Sequence, residues 1–211
     1  MDKYKTILKE ADADQVIEKS RFIAYTKPVE TREEADSFIA DIRRMNKSAN
    51  HNVPAIVIGD KFQLQWASDD GEPSGTAGAP ILQMLVKEGI TNVAVVVTRY
   101  FGGIKLGTGG LVRAYTSSAK LGLAAAGICR VVDMSILTAK LNYTYLNKIQ
   151  SISQHEKFEI REISYSDLVT LKIASAPERA CHIKTLLTDI SAGSCEVISE
   201  TTELLKIPLR A

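Results

Sequence analysis

The stretch Ser68-Asp69-Asp70-Gly71-Glu72-Pro73-Ser74-Gly75-Thr76-Ala77-Gly78 is the first of two glycine loops around which the chain is organised. The second is Thr98-Arg99-Tyr100-Phe101-Gly102-Gly103-Ile104-Lys105-Leu106-Gly107-Thr108-Gly109-Gly110. Nine of the 13 glycines fall between Gly71 and Gly110. Glycine loses much conformational freedom on folding, so it concentrates where the backbone must adopt φ > 0 or approach another chain segment closely. A stretch this small and polar adds little to a core and shapes a ligand-facing surface on a rigid scaffold.

The flanking pattern supplies that scaffold. Asn92 to Thr98 is β-branched and almost wholly apolar, the signature of a central strand that ends at Arg99 and Tyr100. Val53 to Ile58 reads as a buried strand after an Asn50-His51-Asn52 turn. Phe62, Leu64 and Trp66 alternate as a returning strand beyond a Gly59-Asp60 turn. Asp14 to Lys27 reads as one strand closed by Pro28. Thr31-Arg32-Glu33-Glu34 opens a helix with a capping-box signature, and Ala35, Phe38, Ile39 and Ile42 form its apolar face. Pro80 suits the first position of a short helix over 81–88, ended by Gly89; a second helix runs from Gly110 to Ala126 and stops at Gly127.

Beyond Arg130 a single glycine, Gly193, remains. The elements there read strand 131–142, helix 145–154, strands 158–165 and 168–174, helix 177–190 and strand 195–202. This βαββαβ order is that of a ferredoxin-like unit. The expected architecture is α+β: an N-terminal α/β sandwich over 1–130 and a ferredoxin-like domain over 131–211.

Net charge is +1, which names no partner. Locally, Lys87, Arg99, Lys105, Arg113, Lys120 and Arg130 stand against Glu88 alone between Pro73 and Arg130, a basic bias that suits an anionic ligand; the alternative is that they solvate helix faces. Cys129, Cys181 and Cys195 show no C-x-x-C spacing and read as reduced thiols. The start, Met1-Asp2-Lys3-Tyr4-Lys5, leads into no apolar run, and no segment has the roughly 20 apolar residues of a membrane span, so a cytoplasmic location without membrane association is expected.

The second loop runs into a helix and can present several N–H groups to a phosphate, with Arg99 and Lys105 as side-chain partners and Arg113 beyond. It matches neither the P-loop nor the dinucleotide fingerprint, and the alternative is a tight strand-to-helix turn. Asp69, Asp70 and Glu72 suit magnesium against a phosphate, or general-base chemistry with His51. Adjacent carboxylates tend to point apart, which favours turn and cap chemistry instead. Ser74 and Thr76 lack a base for nucleophilic catalysis.

Lys19-Ser20-Arg21-Phe22-Ile23-Ala24, His51-Asn52, both glycine loops and Gly110-Leu111-Val112-Arg113-Ala114-Tyr115 together resemble the IMPACT family over about residues 15–127. The resemblance implies a first domain like the second domain of small-subunit ribosomal protein five. It also implies a second domain resembling the last part of elongation factor G. Eukaryotic members regulate the starvation-responsive kinase of translation initiation by binding its activator, partly through an N-terminal domain with no counterpart here, so that partner is not carried over. The expectation is a non-enzymatic, translation-associated protein that binds RNA or the ribosome through the basic glycine-loop face, with Tyr100 or Phe101 stacking on a base. The alternative for both rings is a place in the core. A protein partner and the oligomeric state are left open. No cofactor is expected; magnesium belongs to the alternative function, a metal-assisted enzyme acting on a phosphorylated small molecule or nucleotide.

Overall fold

The β-branched run forms a strand over Val93–Tyr100, and Val93 through Arg99 are all buried in the computed structural model, which describes residues 2–209. In chain order the elements are β1 (Asp2–Ile7), β2 (Ala11–Ile17), β3 (Ser20–Pro28), α1 (Arg32–Met45), β4 (His51–Ile58), β5 (Leu64–Ala67), α2 (Gly78–Glu88), β6 (Val93–Tyr100) and α3 (Gly107–Ala126). Then follow β7 (Ile128–Leu141), α4 (Tyr143–Ile152), β8 (Phe158–Tyr165), β9 (Val169–Ser175), a short turn of 3-10 helix at Pro177–Arg179, α5 (Ala180–Ile190) and β10 (Glu196–Pro208).

The chain divides into two compact units, one built from Lys3–Val131 with the segment from Lys206 onward, the other from Val132–Leu205 with Asp2. The first unit is centred on an antiparallel sheet of order β2-β3-β6-β4-β5. Successive strand residues face opposite sides. Val53, Ala55, Val57, Val93, Val95 and Val97 therefore pack with α2 and α3, while Ile56, Ile58, Ala94 and Val96 pack with α1. The α1 start matches its signature: Thr31 Oγ accepts from Glu34 N–H at 3.2 Å, and the Glu34 carboxylate accepts from Glu30 N–H at 2.8 Å. Ala35, Phe38, Ile39 and Ile42 are its buried face. Gly89 ends α2 at φ 72°.

Several readings change: Phe62, expected in the returning strand, precedes β5 at φ 58°, and the last strand runs to Pro208 rather than Thr202. The segment expected as one strand is the hairpin of β2 and β3, turning at Glu18 and Lys19 with φ 46° and 62°. Two left-handed residues make the primed turn that matches strand twist, here without the usual Asn-Gly. His51 and Asn52 belong to β4, not to a turn, because they continue the β6 ladder opposite Arg99 and Thr98. Both glycine-loop helices begin three residues early, at Gly78 and Gly107. β1 is additional.

In the second unit, β8 pairs with β9, β9 with β7 and β7 with β10, giving the order β10-β7-β9-β8. With α4 and α5, this is the ferredoxin-like arrangement; Leu141, Ile149, Leu171, Ile173, Ile183 and Leu187 fill its core. Among the described residues no helix is long and apolar enough to cross a membrane. Cys129, Cys181 and Cys195 are free thiols.

Candidate functional site

Asp69 organises the first glycine loop. Its Oδ2 accepts from Gly75 N–H at 2.8 Å, and its Oδ1 from Ala77 N–H at 3.0 Å and Gly78 N–H at 2.9 Å. It thereby serves the start of α2, where Ala77 offers no capping side chain. Partial burial pushes the Asp69 carboxyl up, but the three N–H donors outweigh it and hold it below the ordinary carboxylate value. A Cβ on Gly78 would lie 2.4 Å from the Ser68 carbonyl oxygen, so only glycine closes this loop.

Asp70 turns elsewhere. It sits at φ 48°, pairs with Arg43 of α1 at 2.8 Å, and accepts from Asn52 N–H at 2.6 Å. Its carbonyl oxygen lies 2.8 Å from His51 Nδ1, and since a carbonyl only accepts, that nitrogen carries the proton. Glu72, 9% exposed, accepts from Arg99 Nη1 and the Tyr115 hydroxyl, both at 2.7 Å, with His51 Nε2 at 3.8 Å. The three carboxylates thus serve three separate sets of partners, the arrangement turn and cap chemistry requires. Among the described residues no three His, Cys, Asp or Glu side chains are placed to hold a metal ion. Gly71 and Gly75 are exposed turn positions, Ser74 points to solvent, and Thr76 donates to the Pro73 carbonyl at 2.6 Å.

At the end of β6, Arg99 and Tyr100 point to opposite faces. Tyr100 donates to Asn46 Oδ1 at 2.9 Å, on the α1 side. Arg99 is 5% exposed on the α3 side, with its guanidinium 5.4 Å from the ring centres of both Phe22 and Phe101. Phe22 meets Tyr115 edge-on at 5.3 Å, and burial, reinforced by Glu72, pushes the Tyr115 phenol far up. The pair expected on one ligand face is therefore split by strand alternation, and Arg99 is a buried ion-pair partner rather than an open cation. Phe101, not Tyr100, is the aromatic at the surface, at 45% exposure. The second loop is held by Ser20, whose hydroxyl accepts from Gly102 N–H at 3.2 Å. A Cβ on Gly102 would lie 1.9 Å from the Lys19 carbonyl oxygen.

Gly103 then turns the chain at φ 89°, and α3 starts at Gly107 with no side-chain cap and no acidic residue in its first turn. Gly107, Thr108 and Gly109 are exposed, Gly110 half-buried. A cleft of about 400 Å³ brings together Glu72, Pro73, Arg99, Phe101, Lys105 and Thr108. A second, of about 410 Å³, shares Lys105 and Leu106 and adds Glu18, Gly110, Arg113 and Ser117. Lys105 and Arg113 are exposed and form no ion pair among the described residues, whereas Lys120 is paired with Glu88 at 2.6 Å. Ser20 and Tyr115 stand in the strings that carry the family resemblance, but the sequence reading gave them no site role. Tyr115 lies four residues beyond Leu111 on the buried face of α3, a spacing that was available to read.

Residues 18–123 match the family model described as the Impact N-terminal domain, and residues 140–194 match a domain of unknown function, DUF1949. The chain belongs to the IMPACT family. The IMPACT family member YvyE of Bacillus subtilis is 40% identical over 194 residues, 92% of this chain and 89% of that protein. The IMPACT family member YigZ of Escherichia coli is 34% identical, over 87% of this chain and 91% of that one. Protein IMPACT of Mus musculus is 38% identical over 94 residues, 42% of this chain and 29% of its own. A crystal structure of a hypothetical protein, 32% identical, superposes with a TM-score of 0.59 over 94% of this chain and 98% of that chain. In this IMPACT family protein, the matched N-terminal segment contains both glycine loops and all the residues around the two clefts except Ile17.

Proposed function

We propose that this IMPACT family protein is a non-enzymatic, translation-associated regulator that binds RNA, free or in the ribosome, through the glycine-loop face of its first unit. One observation carries the reading: two unpaired cations, Lys105 and Arg113, flank the uncapped start of α3, with the half-exposed Phe101 ring beside them. A helix start carries about half a positive charge and several free N–H groups, so it attracts phosphate oxygens. An exposed ring beside a cationic groove suits a base of a single strand. Asp69 and Asp70 hold the neighbouring first loop, and Glu72 fixes Arg99 at the base of the second, so their part is structural.

The test is fluorescence anisotropy of single-stranded RNA over a salt series. Lys105→Ala and Arg113→Ala should each lower the salt slope by about 1. Phe101→Ala should weaken binding by about 1–3 kcal/mol with little change in slope. Tyr100→Ala, on the other face, should leave both unchanged once its fold is verified by circular dichroism. A folded wild-type protein without salt-dependent RNA binding refutes the proposal.

A further inference from the structure

We infer that the cleft beside the first turn of α3 seats the 5′-terminal phosphate of an RNA strand; this rests on the RNA-binding reading above. The donors around it fit a phosphate monoester better than a diester. Lys105 reaches it as an unpaired ammonium, Thr108 contributes a hydroxyl, and the first-turn N–H groups of α3 are left without a side-chain cap. Arg99 lines the same cleft, and its Nε is buried without a hydrogen-bond partner. A terminal phosphate brings three acceptor oxygens and about −1.5 to −2 charges, whereas a backbone diester brings two free oxygens and one charge.

The walls offer surface to the rest of the first nucleotide. Glu72 also lines this cleft, its charge matched by Arg99 and its carboxylate held by the Tyr115 hydroxyl. Pro73, Phe101 and Leu111 supply apolar surface for the first sugar and base. Lys105 and Leu106 line both clefts, and the second, which also holds Glu18, offers Arg113 to the first internal phosphate.

The experiment compares a short 3′-labelled RNA carrying a 5′-phosphate with the same RNA carrying a 5′-hydroxyl, by anisotropy with the full chain. The phosphorylated strand should bind about tenfold tighter, the effect of one or two charge-assisted hydrogen bonds. Thr108→Val and Lys105→Gln, folded by circular dichroism, should each erase that preference, while Arg113→Gln weakens both strands alike. Adenosine 5′-monophosphate should compete poorly because it offers nothing to Arg113. Equal affinity for the two strands overturns the end-recognition and leaves the RNA reading standing. Absence of salt-dependent binding by either strand overturns both. Competition by the mononucleotide as strong as by the phosphorylated strand overturns the strand as ligand.

Discussion

Replacing Glu72 by alanine tests the arrangement behind the cleft. Glu72 and Arg99 pair at 2.7 Å with side chains 4% and 6% exposed, and Tyr115 donates to the same carboxylate oxygen at 2.7 Å. Deleting the carboxylate leaves a buried guanidinium between two rings and a buried phenol without its acceptor. Breaking a buried pair costs about 3–5 kcal/mol, and an orphaned hydroxyl about 1–3 kcal/mol. Both losses pass through one oxygen, so they overlap, and the expected total is about 3–5 kcal/mol. Glu72→Gln keeps an acceptor and should cost about 1–3 kcal/mol. Converting the group to Glu72→Leu, Arg99→Met and Tyr115→Phe together removes the polar atoms of all three side chains, leaving Ser20 its Gly102 donor, and should return to within about 1 kcal/mol of wild type. Urea unfolding followed by the fluorescence of Trp66 reads the first unit selectively, since this is the single tryptophan and lies in β5. A cost below about 1 kcal/mol for Glu72→Ala, or a triple variant as unstable as the single one, refutes the reasoning.

Asp69→Ala removes the acceptor of three N–H groups and should destabilise by about 0.5–2 kcal/mol at neutral pH. Because the folded carboxyl is held below its unfolded value, its contribution is present above about pH 3.9 and is lost as the pH falls through the lower folded value. The gap between wild type and variant should therefore close in urea titrations from about pH 5 to about pH 2, and a constant gap rejects the assignment. Gly102→Ala drives a methyl group into the Lys19 carbonyl and should cost about 1–3 kcal/mol. Gly109→Ala, helical and with Arg113 Nη1 at 3.7 Å as its nearest neighbour, should instead gain up to about 1 kcal/mol. Thermal melts of equal midpoint for these two variants contradict the close-approach argument.

Strong periodic segments were legible because local pattern and tertiary place agree: β6, α1 and β8 stand where their residues put them. The Glu18-Lys19 turn was not, since neither residue carries the glycine or asparagine that normally marks left-handed geometry. Helix starts inside the glycine loops were hidden for a related reason. Gly78 and Gly107 have poor helix propensity, and at Gly78 the N–H is taken up by Asp69, nine residues earlier. The glycine-loop face itself was visible as composition, but not which side chains reach it. Strand alternation decides that Arg99 and Tyr100 part, and a buried partner, Glu72, decides that Arg99 is neutralised. The burial of Tyr115 follows from its spacing to Leu111, but its bond to Glu72 spans 43 residues that no local window contains.

The first unit takes in the segment from Lys206 onward, and Leu209 N–H donates to the Ile128 carbonyl at 3.0 Å. During synthesis, then, the first unit is made first but completed last. Between Val131 and Lys206 the ribosome must add the 74 residues of Val132–Leu205, the whole intervening unit. At about 5–20 residues per second that is a wait of roughly 4–15 s. Through it the Ile128 carbonyl lacks its donor, and the first unit closes only after the second has been made.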